Sequence, residues 1–311
     1  MRNAQGQGTH QHDRAGKLIA SLAALRDRLI NLQPTWLPLL LLVPVLYGLG
    51  WVMATPLRLF GIDPEQHALI GTAFSFLLLL MLLPRWCRLR WQSRNSWRSL
   101  GLSGGGRRGR HQPAPALLRG LGLALLLLGV ILVFVLTGSW GHWLGEWSLG
   151  RSLNALALVF GVGLTEELIF RGWLWQELEL LFGANPAIAG QAIVFSVIHT
   201  RFNLGLMPML GLLFGLFLLG LCLAMLRRLD GGSLWGCVGL HGGLVAGWFL
   251  LQNGLLQLSP DAPAWLVGPG GMSANPLGGA VAISTLLGLL LLQRTAVARA
   301  ARPDTGARSA S

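Results

Sequence analysis

Two adjacent glutamates, Glu166 and Glu167, stand in the run Gly163-Leu164-Thr165-Glu166-Glu167-Leu168-Ile169-Phe170-Arg171, which closes a long apolar segment. Ionisable groups at membrane depth are costly, and their default reading is functional. On a helix, Glu167 and Arg171 are four residues apart and pair on one face, while Glu166 is turned about 100° away. One carboxylate is thereby neutralised and the other stays available as a base. Two histidines also fall inside apolar runs: His199, ending Val194-Phe195-Ser196-Val197-Ile198-His199, and His241, in Cys237-Val238-Gly239-Leu240-His241-Gly242-Gly243. A lone buried histidine is ordinarily a packing residue. Two of them beside an intramembrane glutamate pair have the composition of an acid–base site or of a Zn²⁺ site with an open position.

The elements that hold these residues are membrane helices. Of the 311 residues, 53% are hydrophobic and only 12% charged, too little charge to cover a soluble domain of this length. Eight segments approach the roughly 20 apolar residues that a span requires: about 35–55, 67–84, 117–138, 152–170, 187–199, 205–226, 234–252 and 277–293. The fold class expected is therefore all-α, a polytopic integral membrane protein of about eight transmembrane helices. All basic residues but Lys17 are Arg, and they sit in blocks between apolar runs, including eight Arg and no acid from Arg85 to Arg110. By the positive-inside rule these blocks are cytoplasmic, as are both termini. The blocks do not form one basic face, which excludes a nucleic-acid partner. The basic inside loops suit a bacterial plasma membrane.

Depth brings the candidates together. At about 1.5 Å of rise per residue, Glu166 lies roughly 9 Å, and His241 roughly 10 Å, above the cytoplasmic edge of a ~30 Å core. His199 reaches the same level if Arg171 to Glu179 continues the fourth helix into the cytoplasm as far as the turn Gly183-Ala184-Asn185-Pro186. The stretch from Thr200 to Pro208 must then climb as irregular backbone, tolerated in a membrane only inside protein or along a watery cavity.

Glu166-Glu167-x-x-x-Arg171, then Phe195-x-x-x-His199, then His241 after Gly-Ser-Leu-Trp at 232–235, resembles the signature of the CPBP intramembrane proteases. This family is also called CAAX protease and bacteriocin-processing, or Abi, and includes the prenyl-protein endopeptidases. The resemblance covers about residues 150–255. It implies that Glu166 and His199 polarise a water, that Glu167 and Arg171 hold the helix geometry, and that His241 helps stabilise the oxyanion. In the family's alternative metal frame, Glu166, His199 and His241 bind zinc. The implied substrate is a peptide or membrane protein, with lipidated chains among the candidates. One departure is Val245, where the family usually has Asn or Asp; Asn203 and Asn253 are the nearest-in-chain amides that could substitute. Val245 favours an alternative, a non-catalytic scaffold or immunity protein using the same cluster. A proton-relaying transporter is weakened by the lack of an internal repeat.

The organisation expected is a cytoplasmic segment 1–33, helices one to three over 34–138 with the Arg-rich loop 85–116, the catalytic core 150–255, an outer loop and last helix over 256–293, and a disordered tail 294–311. Cys87, Cys222 and Cys237 have no metal-type spacing. His10, His12, His67, His111 and His142 are placed in tails or loops. Gly211-x-x-x-Gly215 and the glycines from Gly239 to Gly247 are expected to permit close packing, and Gly242 beside His241 could also admit a peptide backbone.

Overall fold

The computed structural model describes residues 20–21, 36–103, 112–271 and 274–300. It divides into two compact units, residues 1–96 and 97–311. In the first, α1 (Trp36–Ala54) continues as a 3₁₀ segment, Thr55–Phe60, and packs against α2 (Pro64–Arg90). The start of α2 is set by its sequence: Asp63 Oδ1 accepts the Gln66 N–H at 2.8 Å, and Pro64 occupies the first turn. His67 is not a loop residue. It is buried in that first turn, edge-on to Trp51 at 5.0 Å.

The second unit holds α3 (Pro113–Thr137), α4 (Leu149–Phe182), α5 (Ala184–Ile198), α6 (Leu206–Leu229), α7 (Trp235–Leu250) and α8 (Ala280–Ala300). A small antiparallel ladder, β1 (Gly141–Trp143) with β2 (Leu256–Leu258), aligns Gly141 with Leu258 and Trp143 with Leu256. α7 is its core helix: every residue from Gly236 to Leu244 is buried. A helix that is apolar all round belongs inside a bundle, and α7 packs against α3 and α4. Large apolar side chains such as Leu125, Leu126 and Leu153 face outward, as a lipid-facing surface requires.

All eight apolar segments are helical, and the chain is an all-α polytopic membrane protein. Among the described residues, six helices are long and apolar enough to cross a membrane: α1 with its extension, α2, α3, α4, α6 and α8. α5, with 15 residues, and α7, with 16, are shorter than a full span. α8 runs to Ala300, past its expected end at 293, so residues 294–300 are helix rather than tail. The rest of the tail lies outside the described residues, as do most of the segment 1–33 and His10, His12 and His111.

Candidate active site

α4 carries both glutamates and is locally unusual. Ser148 caps its N-terminus by accepting the Arg151 N–H at 3.2 Å. Two π-helical segments, Val159–Leu164 and Leu168–Leu174, flank the short α-helical piece Thr165–Glu167. Such widened turns recur at functional sites, and here they bracket the carboxylates. The helix then continues through Glu179 and stops at Gly183, whose φ of 84° lies in the region that favours glycine. This extension lets α5 start beyond the glutamates and return His199 to the side of Glu166.

The approach of α4 to α7 depends on two glycines. A Cβ at Gly163 would stand 2.8 Å from Gly242 Cα, and a Cβ at Gly242 would stand 2.9 Å from Val159 Cα. Gly163 lies one turn before Glu167, and Gly242 follows His241. Gly242 therefore makes room for the backbone of α4, not for a peptide.

Glu167 and Arg171 are fully buried, and Arg171 Nη1–H donates to Glu167 Oε1 at 2.9 Å. The same Oε1 accepts the His241 Nδ1–H at 2.8 Å. His199 Nδ1–H donates to the Phe195 carbonyl at 2.7 Å. A carboxylate and a carbonyl only accept, so both Nδ1 atoms carry protons, and each ring turns its Nε2 away from these bonds. Both Nε2 atoms face Glu166: its Oε2 lies 3.5 Å from His199 Nε2 and 3.8 Å from His241 Nε2. Those separations exceed the roughly 2.7–3.2 Å of an N–H···O bond, and Oε2 makes no hydrogen bond to a described residue. The Phe195 ring packs against all of this, 4.8 Å from the His199 ring, 5.5 Å from His241 and 4.3 Å from the Arg171 guanidinium carbon.

Glu166, His199 and His241 open on a cavity of about 630 Å³, lined chiefly by aliphatic side chains. Glu166 and His199 are partly exposed to it, with 26% and 32% of their side chains accessible, against 6% for His241. Arg201, on the irregular stretch between α5 and α6, lines the same cavity. So do Val245, Gln252, Asn253 and Asn275, whereas Asn203 is not among its walls. The cavity thus draws on α3, the 268–279 loop and α8, outside the 150–255 segment that carries the sequence signature.

All five candidates, Glu166, Glu167, Arg171, His199 and His241, come together in one cluster. Sequence reasoning paired Glu167 with Arg171 but missed its second bond, to His241; an acceptor beside a buried histidine was the available signal. It also missed Asn275, because 109 residues separate it from Glu166 and no periodicity links them.

Residues 148–247 match the family model described as type II CAAX prenyl endopeptidase Rce1-like. Residues 15–95 match a domain of unknown function (DUF8676). No curated relative and no solved structure matches the chain. The segment that holds all five clustered residues is thus the Rce1-like segment of an integral membrane protein, in line with the CPBP resemblance of its motifs.

Proposed function

We propose that this protein is an intramembrane endopeptidase of the CPBP, CAAX prenyl protease-like class, which hydrolyses a peptide bond with a water activated by Glu166 and His199. The observation that carries this reading is Glu166, whose Oε2 lies between two histidine Nε2 atoms and whose side chain is partly accessible from a largely apolar cavity.

The Glu166 carboxylate and the His199 Nε2 lone pair are neighbouring acceptors that attract the O–H bonds of a water. With one O–H directed at the accessible side of the Glu166 carboxylate and the other at His199 Nε2, the water turns a lone pair toward a substrate carbonyl carbon. As the C–O bond forms, Glu166 takes the proton, and it returns that proton to the departing amine nitrogen when the C–N bond breaks. His241, held through its Nδ1 by Glu167, turns Nε2 toward the same point, and in its protonated form its Nε2–H donates to the developing oxyanion. Such donation is usually the largest catalytic contribution. Glu167 and Arg171 position His241 and the helix.

Glu166, His199 and His241 are also the residue types of a zinc site, and their Nδ1 bonds are those that metal-bound histidines make. Among the described residues, however, no trio of His, Cys, Asp or Glu stands in a metal-holding arrangement. The hydrolysis is accordingly derived through water alone.

The matched family's description supports a lipidated peptide or membrane-protein substrate. The Arg-rich loops support eight membrane-inserted helices with cytoplasmic termini, a site open to the cytoplasmic leaflet, and a bacterial plasma membrane. Val245 favours a second reading, a non-catalytic scaffold, because it places an aliphatic wall one turn from His241. The test is to offer the detergent-purified protein a peptide and membrane-protein library beside Glu166→Ala and His199→Ala. Cleavage abolished by both supports the protease. Cleavage unaffected by both sinks the mechanism, and partner capture without any cleavage supports the scaffold.

A further inference from the structure

Beyond the clustered residues, the cavity wall offers several polar side chains, and their hydrogen bonds distinguish them. Asn253 Nδ2–H donates to the Phe249 carbonyl of its own helical turn at 2.8 Å, so this donor is engaged locally. Gln252 is held by no hydrogen bond to a described residue, and nothing fixes its direction. Asn275 is different. Its Oδ1 accepts the Leu277 N–H at 3.1 Å, its own N–H donates to the Pro269 carbonyl at 3.1 Å, and its carbonyl accepts the Gly278 N–H at 3.1 Å. The carboxamide is thereby pinned through its oxygen, and its Nδ2 has no partner among the described residues.

The loop that carries Asn275 is itself clamped. Trp248 Nε1–H, from α7, donates to the Ala274 carbonyl at 2.8 Å, a buried bond. On the other side, Gly215 of α6 lets the Leu277 carbonyl approach its backbone, and a Cβ at Gly211 would lie 3.1 Å from the Gly278 carbonyl. The Gly211-x-x-x-Gly215 motif therefore packs against the short 3₁₀ turn Pro276–Gly278. A loop held this way on a cavity wall presents its polar group in a fixed direction, which is what a preorganised binding contact needs.

We infer that Asn275 is a substrate-positioning residue whose Nδ2–H donates to a backbone carbonyl of the peptide in the cavity, away from the bond being cleaved. Trp248, which anchors the loop, stands two turns of α7 beyond His241, about 10 Å along the axis. An extended peptide advances about 3.3 Å per residue. The carbonyl that Asn275 reads is therefore two or three residues, roughly, from the scissile one. This assignment rests on the proteolytic reading, and it explains how a loop outside the matched segment takes part in that site.

The experiment measures binding rather than turnover. A fluorescein-labelled, farnesylated peptide ending in a Cys-aliphatic-aliphatic-Met sequence is titrated with detergent-purified full-length protein carrying Glu166→Ala, and anisotropy gives Kd. Asn275→Ser and Asn275→Asp are then added separately. Both keep a cap oxygen for the Leu277 N–H, the first without charge, and both lack the amide donor. Asn203→Ala, away from the cavity, is the control. Loss of one hydrogen bond from a desolvated site is expected to weaken binding about tenfold, with the melting temperature unchanged. Weakening by Asn275→Ser of fivefold or more supports the assignment, and any smaller effect overturns it. If the Glu166→Ala parent binds no peptide, the prenyl-peptide reading fails and the assignment falls with it.

Discussion

Glu167 Oε1 accepts hydrogen bonds from Arg171 Nη1–H at 2.9 Å and from His241 Nδ1–H at 2.8 Å, tying α4 to α7 across 74 residues of chain. The second bond makes Glu167 more than a counter-ion. It fixes which nitrogen of His241 faces Glu166, and so it links the two carboxylates through one imidazole.

That coupling predicts a loss of both stability and activity when Glu167 is truncated. Glu167→Ala leaves the Arg171 guanidinium buried without its partner, a change that ordinarily costs about 3–5 kcal/mol. Thermal unfolding in detergent should show a clear drop in melting temperature. Glu167→Gln retains an acceptor oxygen for His241 and should fall between Glu167→Ala and wild type.

His199 should behave in the opposite way. A third of its side chain is accessible and it caps the end of α5, so His199→Ala is expected to leave the melting temperature nearly unchanged. The cleavage rate should fall by about 10²–10⁴, the usual contribution of a positioned proton acceptor. A parallel loss of stability and rate would assign His199 a structural role instead.

The contact between Gly163 and Gly242 predicts a steric effect remote from any titratable group. Gly242→Val must push α4 away from α7, and overpacking of this kind typically costs about 1–3 kcal/mol. Because the displacement separates Glu166 from His241, activity should be lost even in the fraction that remains folded, as judged by size-exclusion chromatography followed by a cleavage assay.

Much of the site was legible before the structure. The cost of carboxylates in an apolar helix singled out Glu166 and Glu167, the i,i+4 spacing paired Glu167 with Arg171, and the rise per residue placed His199 and His241 at the glutamates' depth. The polar run from Arg171 to Glu179 correctly extended α4 to Gly183. What stayed hidden depends on geometry that sequence spacing does not encode. The π-helical segments around Thr165–Glu167 have no signature in residue spacing. Gly242 was expected to permit close packing, with room for a peptide as the alternative, and the position of Val159 decided for packing. His67 resembled a loop residue because its helix begins at Pro64, one turn earlier than hydropathy indicated. Asn275 had no pattern at all, because its placement depends on the Trp248 bond and the approach of α6.

The water-based mechanism makes a prediction about metal. Protein purified without added zinc and dialysed against a chelator should retain its cleavage rate within about twofold, and elemental analysis should find well under one zinc per chain. Stoichiometric zinc that is lost with His199→Ala would instead make Glu166, His199 and His241 ligands, in the arrangement of a catalytic zinc with three protein donors.

The central claim is that Glu166 removes the proton from the attacking water, and Glu166→Gln tests it most directly. This substitution keeps the size of the side chain and removes the base. Single-turnover cleavage of a peptide that wild type hydrolyses should slow by about 10²–10⁴, with peptide affinity and melting temperature preserved. A Glu166→Gln protein that cleaves within tenfold of wild type would contradict the account.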